Sequence, residues 1–156
     1  SMESEKLASL FKEDLCIFSL RSKKKVSVLQ EMVRALKAAG KIADEHFILE
    51  MLKNRESLGS TGLGLGVAFP HGRSIAIPEL TVLFARSASG IDFEALDGKP
   101  TKIFFLILAP SEKGAEDYLA LLSQLTALVQ EPDTLEKLCN VKDHESLIGI
   151  LGGVGG

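Results

Sequence analysis

The sequence predicts an α/β fold, a single-domain sandwich with a mixed β-sheet of four or five strands flanked by about five helices, and three observations carry that prediction. Residues 102–109 hold the run Ile103-Phe104-Phe105-Leu106-Ile107-Leu108, which lacks polar alternation and therefore reads as a central strand covered on both faces. Segments of helical period stand on both sides of it in the chain. The length of 156 residues suits one core, and neither an internal repeat nor a Pro- or Ser-rich linker divides it. Residues 1–151 are accordingly read as one domain and the Gly-rich residues 152–156 as a flexible tail.

A short helix is expected over 5–12, with Leu7, Leu10 and Phe11 on one side, and then an extended segment at Cys16-Ile17-Phe18. Ser22 is placed to cap the next helix, along which Val26, Leu29, Met32, Val33 and Leu36 recur at helical spacing. Gly40 stands where a left-handed C-terminal cap belongs. A second helix from about Asp44, with Phe47, Ile48, Met51 and Leu52 inward, should end near Arg55 and Glu56 and complete an αα-hairpin. Glycines and hydroxyls crowd 57–66, which argues for a backbone-rich loop, followed by a short strand at Val67-Ala68-Phe69. Strands are expected over 80–86 and 102–109. An amphipathic helix should run over 115–130 with Leu119, Leu122, Leu125, Thr126 and Val129 inward. Pro132 opens a shorter helix carrying Leu135 and Leu138, and Asp143 or His144 a last one carrying Leu147, Ile148 and Leu151.

With 46% hydrophobic and 25% charged residues and no apolar run near the ~20 a membrane span requires, the chain reads as soluble and without membrane insertion. Its first residues have no apolar stretch to act as a signal peptide, and a Ser ahead of the Met resembles a cleavage remnant, so a cytoplasmic location is expected. Cys16 and Cys139, each flanked by apolar residues, read as two buried free thiols. A net charge of -3 gives no basic excess for nucleic acid, and Lys23-Lys24-Lys25 reads as a solvated helix start.

The glycine loop fails the usual phosphate motifs. After Gly62-x-Gly64 a dinucleotide fingerprint needs glycine where Val67 stands, and a P-loop needs Lys-Ser or Lys-Thr where Leu65-Gly66 stands. No Gly-x-Ser-x-Gly elbow occurs, and His46, His71 and His144 show no metal-ligand spacing, so no metal or other cofactor is expected. His46 and His144, near helix starts among charges, read as surface residues.

His71 is set apart by its neighbours. Pro70 restrains the backbone before it, Gly72 permits close approach by a second body, and Arg73, two residues on in an extended chain, projects on the same side. A neutral imidazole offers a nucleophilic nitrogen, and a phosphorylated one needs cationic or N–H donors for its oxygens; Arg55, Arg73, Ser60 and Thr61 are the candidates to supply them. A turn histidine bonded only to backbone fits the same residues, and spacing does not decide between the two.

The stretch Asn54-Arg55-Glu56-Ser57-Leu58-Gly59-Ser60-Thr61-Gly62-Leu63-Gly64-Leu65-Gly66-Val67-Ala68-Phe69-Pro70-His71-Gly72-Arg73 resembles the signature of phosphotransferase-system IIA domains of the fructose/mannitol type. The resemblance takes in the preceding helix pair, the 90–100 hairpin, the 104–110 strand and the 119–129 helix. It implies a phosphoryl carrier in which the histidine matching His71 accepts phosphate at Nε2 from the phosphocarrier HPr or a paralogue, with Arg55 beside it. Leu-Gly-Ser-Thr-Gly and Pro-His-Gly-Arg look most like the nitrogen-regulatory branch, whose phosphorylation state acts on a regulatory target protein; a sugar-transport IIA passes phosphate to a IIB domain instead.

One position departs from that pattern. Most of the family carries a second histidine near the start of the helix after the central strand, where this chain has Tyr118. A phenol can donate a hydrogen bond but carries no positive charge, so stabilisation of phosphate would lean on Arg55 and Arg73, and Tyr118 either bonds the phosphoryl group or simply packs. Leu63, Leu65 and Phe69 are read as an apolar rim for the donor protein or as core. The contrasting function is a binding module that has lost phosphoryl acceptance.

Overall fold

The structure, a computed structural model, describes residues 3–152. In chain order it has α1 (Ser4–Ser9), a 3-10 turn (Glu13–Leu15), β1 (Cys16–Ile17), α2 (Lys25–Ala38), α3 (Glu45–Ser57), β2 (Gly62–Gly64), β3 (Val67–Ala68), β4 (His71–Ser74), β5 (Thr81–Ile91), β6 (Thr101–Pro110), α4 (Ala115–Val129), α5 (Pro132–Cys139) and α6 (His144–Ile150). The sheet has six strands, one more than the upper expectation, in the order β1-β5-β6-β3-β2, with β4 also paired to β6. β5 and β6 are antiparallel, whereas β1 runs parallel to β5, and β3 and β4 run parallel to β6, which makes the sheet mixed.

β6 is central, as its unbroken apolar run requires. Phe104, Leu106 and Leu108 pack with α2 and α3, while Ile103, Phe105 and Ile107 pack with α1, α4, α5 and α6. The result is a three-layer sandwich with one apolar cluster on each face of the sheet.

α2 ends as its glycine predicts. Gly40 has φ 75, its N–H donates to the Lys37 carbonyl, and the Lys41 N–H reaches the Leu36 carbonyl, the double bond of a Schellman motif. Its start differs from expectation. Ser22 is not the cap: the Ser22 N–H donates to Glu31 Oε1 at 2.9 Å, and the backbone of Lys24 bridges to Asp92, so the helix opens at Lys25. Val28 then takes the inward place and Val26 is left 49% exposed. Asp44 does cap α3, accepting from the Phe47 N–H at 2.9 Å, and this leaves the Phe47 ring outside the core. In α4 the inward row is Leu121, Leu125 and Val129, so Leu119 stands exposed.

Three further expectations are corrected. Cys16 and Cys139 are free, but each is half-buried rather than buried. His144 is half-buried rather than freely exposed; its Nε2 lies 2.6 Å from the Phe11 carbonyl oxygen and ties α6 to the segment after α1. Lys25 is not a solvated end of the lysine run, because its side chain is 13% exposed and ion-paired. The expected tail falls outside the described residues beyond Gly152. Among the described residues no helix is long and apolar enough to cross a membrane.

Candidate functional site

The glycine-rich segment is a hairpin, not an irregular loop. β2 and β3 pair antiparallel around Leu65 and Gly66, both with positive φ, and the Leu65 N–H is held by Asp97 Oδ2. From there residues 67–74 run beside β6 in one register: Val67 lies opposite Ile103 and His71 opposite Ile107, so no residue is gained or lost between β3 and β4. Pro70, between them, has no N–H to give, but its carbonyl accepts from the Ile107 N–H at 2.9 Å. Proline thus interrupts the strand without shifting it.

Side chains alternate along this segment. His71 shares the sheet face of Ile107 and looks toward α4, whereas Gly72 faces α3, where an added Cβ would lie 3.0 Å from Met51 Sδ. The neighbour there is the flexible end of the Met51 side chain on α3. His71 Nδ1 lies 2.9 Å from the Phe69 carbonyl oxygen. A carbonyl only accepts, so Nδ1 carries the proton and the lone pair of the neutral ring sits on Nε2. Phe69 is fixed in turn: its ring is 3% exposed and stacks on Phe105 with centroids 5.5 Å apart. It is core and forms no part of an apolar rim, whereas Leu63 and Leu65 are 52% and 59% exposed.

The first turn of α4 brings Tyr118 opposite the histidine, with ring centroids 6.1 Å apart and planes inclined by 48°. Burial pushes the phenol above the usual tyrosine range, and the charges of Arg73 and Arg55 pull it back. Both guanidinium charges therefore reach the phenol of Tyr118. Arg73 donates from Nε and Nη2 to the Pro110 carbonyl at 3.1 and 3.0 Å and from Nη2 to the Ser111 carbonyl at 3.2 Å, while Arg55 donates from Nη1 to the Gly59 carbonyl at 2.8 Å.

Ser60 and Thr61 are placed differently from the other four candidates. The Ser60 hydroxyl donates to the Phe93 carbonyl at 2.7 Å, and Thr61, 3% exposed, donates its hydroxyl and its N–H to the carboxylate of Glu56. Their hydroxyl protons are spent within the fold. Glu56 itself is a buried carboxylate that the sequence did not single out, paired with Lys25 Nζ at 3.0 Å. Its only signal was its place beside Arg55, since Lys25 lies a helix away. A cleft of about 390 Å³ between α1 and α6, lined by Phe11, Lys12, His144 and Ile148 among others, does not include His71. Among the described residues, no group of three or more His, Cys, Asp or Glu side chains is arranged to hold a metal ion.

Residues 9–152 match the family model described as phosphoenolpyruvate-dependent sugar phosphotransferase system, EIIA 2. The chain is 34% identical over 146 residues to the PTS system fructose-specific EIIABC component of Bacillus subtilis, covering 94% of this chain and 23% of that relative's length. It is 37% identical over 134 residues to the nitrogen regulatory protein of Bradyrhizobium diazoefficiens, covering 85% of this chain and 86% of the relative. Among solved structures, the nitrogen regulatory protein IIA-Ntr from Neisseria meningitidis superposes with a TM-score of 0.86 at 30% identity, over 93% of this chain and 98% of that one. The IIA mannitol enzyme of Escherichia coli, in its complex with phosphorylated IIB, shares the fold at a TM-score of 0.75 and 18% identity, over 90% and 97% of the two chains.

Proposed function

The chain belongs to the EIIA 2 family of the phosphoenolpyruvate-dependent sugar phosphotransferase system, and from that membership we propose that His71 is its phosphoryl-accepting residue and that Nε2 is the accepting atom. The observation that carries this reading is the 2.9 Å contact between Nδ1 and the Phe69 carbonyl, which leaves the lone pair on Nε2. In the transfer, that lone pair forms the new N–P bond as the N–P bond to the donor's histidine breaks, in line and through a loose transition state. The donor's imidazole leaves with its electron pair. His71 keeps the proton on Nδ1 and so gains positive charge, which the Phe69 carbonyl stabilises.

Arg55 and Arg73 offer the charge that three phosphoryl oxygens require, and Tyr118 offers one neutral O–H. The donor is a phosphohistidine protein, HPr or a nitrogen-type paralogue, docking over Leu63 and Leu65. Incubation with phosphoenolpyruvate, the system's first enzyme and HPr should add a single acid-labile phosphoryl group, seen by intact mass and absent in His71→Ala. No addition leaves the binding-module reading in its place, and equal addition in the variant moves the accepting atom away from His71.

We assign the output to the regulatory, nitrogen-type branch, a reading supported by likeness to nitrogen regulatory proteins over nearly their whole length. The second reading, a sugar-transport component passing phosphate to a IIB domain, draws on the 34% identity to the fructose-specific relative. Mixing the phosphorylated chain with a fructose-type IIB domain separates them: retention of the phosphoryl group favours the first, rapid loss the second.

A further inference from the structure

Four contacts link a buried ion pair to the ring of His71. Lys25 Nζ lies 3.0 Å from Glu56 Oε1, with side chains 13% and 5% exposed, and Lys25 also sits 4.6 Å above the centre of the Phe93 ring. The Glu56 carboxylate takes the Thr61 N–H at 3.1 Å and the Thr61 hydroxyl. The Thr61 carbonyl accepts the Phe69 N–H at 3.0 Å, and the Phe69 carbonyl accepts from His71 Nδ1 at 2.9 Å. Phe69 therefore presents the acceptor that orients His71 from a backbone whose own N–H is tethered to Thr61.

We propose that Glu56 is a positioning residue for phosphoryl transfer: paired with Lys25, it fixes Thr61, and through Thr61 the Phe69 carbonyl that holds His71 in the Nδ1–H tautomer. This rests on the reading of His71 as the phosphoryl acceptor. A buried carboxylate is costly to the fold, and an apolar pair of similar size often serves stability as well or better, so stability alone gives no reason for an ion pair here. Precision of the histidine does. An error in the Phe69 carbonyl would turn the ring or move its proton to Nε2, the atom that must attack, and small misplacements of reacting groups lower rates steeply. The double acceptance from Thr61 supplies what an apolar pair cannot, two directional bonds at the base of the β2–β3 hairpin.

The test uses the full chain and two readouts, nitrogen NMR of the His71 imidazole for the tautomer, and the rate of phosphorylation by phosphoenolpyruvate, the first enzyme and HPr. In the Lys25→Met/Glu56→Met double variant no buried charge is left alone, but both Thr61 donors lose their acceptor. The unaltered protein is expected to show a single Nδ1–H tautomer. The double variant, still folded by thermal melting, should show a mixture and transfer about tenfold more slowly or worse. Glu56→Gln, with one acceptor oxygen left, should fall between the two. Thr61→Val removes one donor and no charge, and should give a partial tautomer shift with transfer slowed about two- to fivefold. A folded double variant with unaltered tautomer and rate overturns the assignment; if it does not fold, Thr61→Val with unaltered tautomer and rate does the same. Should the unaltered chain take no phosphate on His71, the acceptor reading falls instead, and the tautomer measurement still decides the role of Glu56.

Discussion

Tyr118 and His71 face each other across the gap between α4 and β4, 6.1 Å between ring centres, with the guanidinium charges of Arg73 and Arg55 both acting on the phenol. A neutral hydrogen bond from Tyr118 to a phosphoryl oxygen is worth roughly 0.5–1.5 kcal/mol, and a charge-assisted one from Arg55 about twice that. Tyr118→Phe should therefore slow phosphorylation of His71 by less than about tenfold, while Arg55→Ala should slow it by more, at unchanged fold. Stopped-transfer assays of the two variants side by side check this. The reverse order would remove Arg55 from the phosphate and give its place to the phenol.

Arg73 has two employments, one seen and one proposed. Its three hydrogen bonds to the Pro110 and Ser111 carbonyls hold the segment between β6 and α4 against β4, and that segment leads directly into Tyr118. Arg73→Ala should thus speed amide exchange over residues 111–118 at least several-fold, as well as weaken phosphorylation. Arg73→Lys, which keeps the charge but not the planar fork, should recover part of the phosphorylation and little of the exchange protection. Hydrogen-exchange mass spectrometry reads the first effect independently of the second.

The local features of this fold were legible because their causes lie within a few residues. Gly40 and Asp44 announce a helix end and a helix start through bonds that span no more than five positions, and the apolar run at Ile103 to Ala109 needs no partner to declare burial on both faces. The phase of a helix depends on its first residue. α2 opens three residues after Ser22 because Glu31 and Asp92 occupy the preceding backbone, and this sent Val26 outward. The same limit governed the site. His71, Arg55, Arg73 and Tyr118 are candidates that a contiguous signature and one helix position supply, but the pairing of Lys25 with Glu56 joins residues of two helices. Read one at a time, a lysine in a charged run and a glutamate at a helix end look solvated.

The thiol of Cys16 should be nearly inert. Burial above all, with the negative charges of Asp14 and Glu13, pushes it up to about 12, and its S–H points at the Lys12 carbonyl 3.3 Å away. At pH 8 the thiolate fraction is then about 10⁻⁴, against roughly a quarter for an ordinary thiol. Iodoacetamide applied to the native chain should label Cys16 more than about 100-fold more slowly than it labels the unfolded chain. Because the folded-state value lies above the unfolded one, this group's contribution to stability is complete below about pH 8.5 and disappears as the pH rises toward 12. Cys16→Ser should flatten that alkaline decline.

Glu31 carries the opposite sign. Burial would raise its carboxyl, but the N–H groups of Ser22 and Arg21 donate to it and the net effect holds it below the ordinary glutamate range. A carboxylate whose folded-state value is depressed stabilises the protein above its unfolded value, about 4.3, and loses that contribution as the pH falls through the folded one. Glu31→Gln keeps an acceptor but not the charge, so it should cost about 1 kcal/mol near neutrality, in line with a partly exposed charge-assisted bond. The cost should shrink once the pH drops below the point at which the native carboxylate itself takes up a proton. Urea titrations of both proteins at neutral pH and across the acid range measure this difference. A gap that stays constant with pH would mean that the anchor of the segment before α2 is the shape of Glu31 rather than its charge.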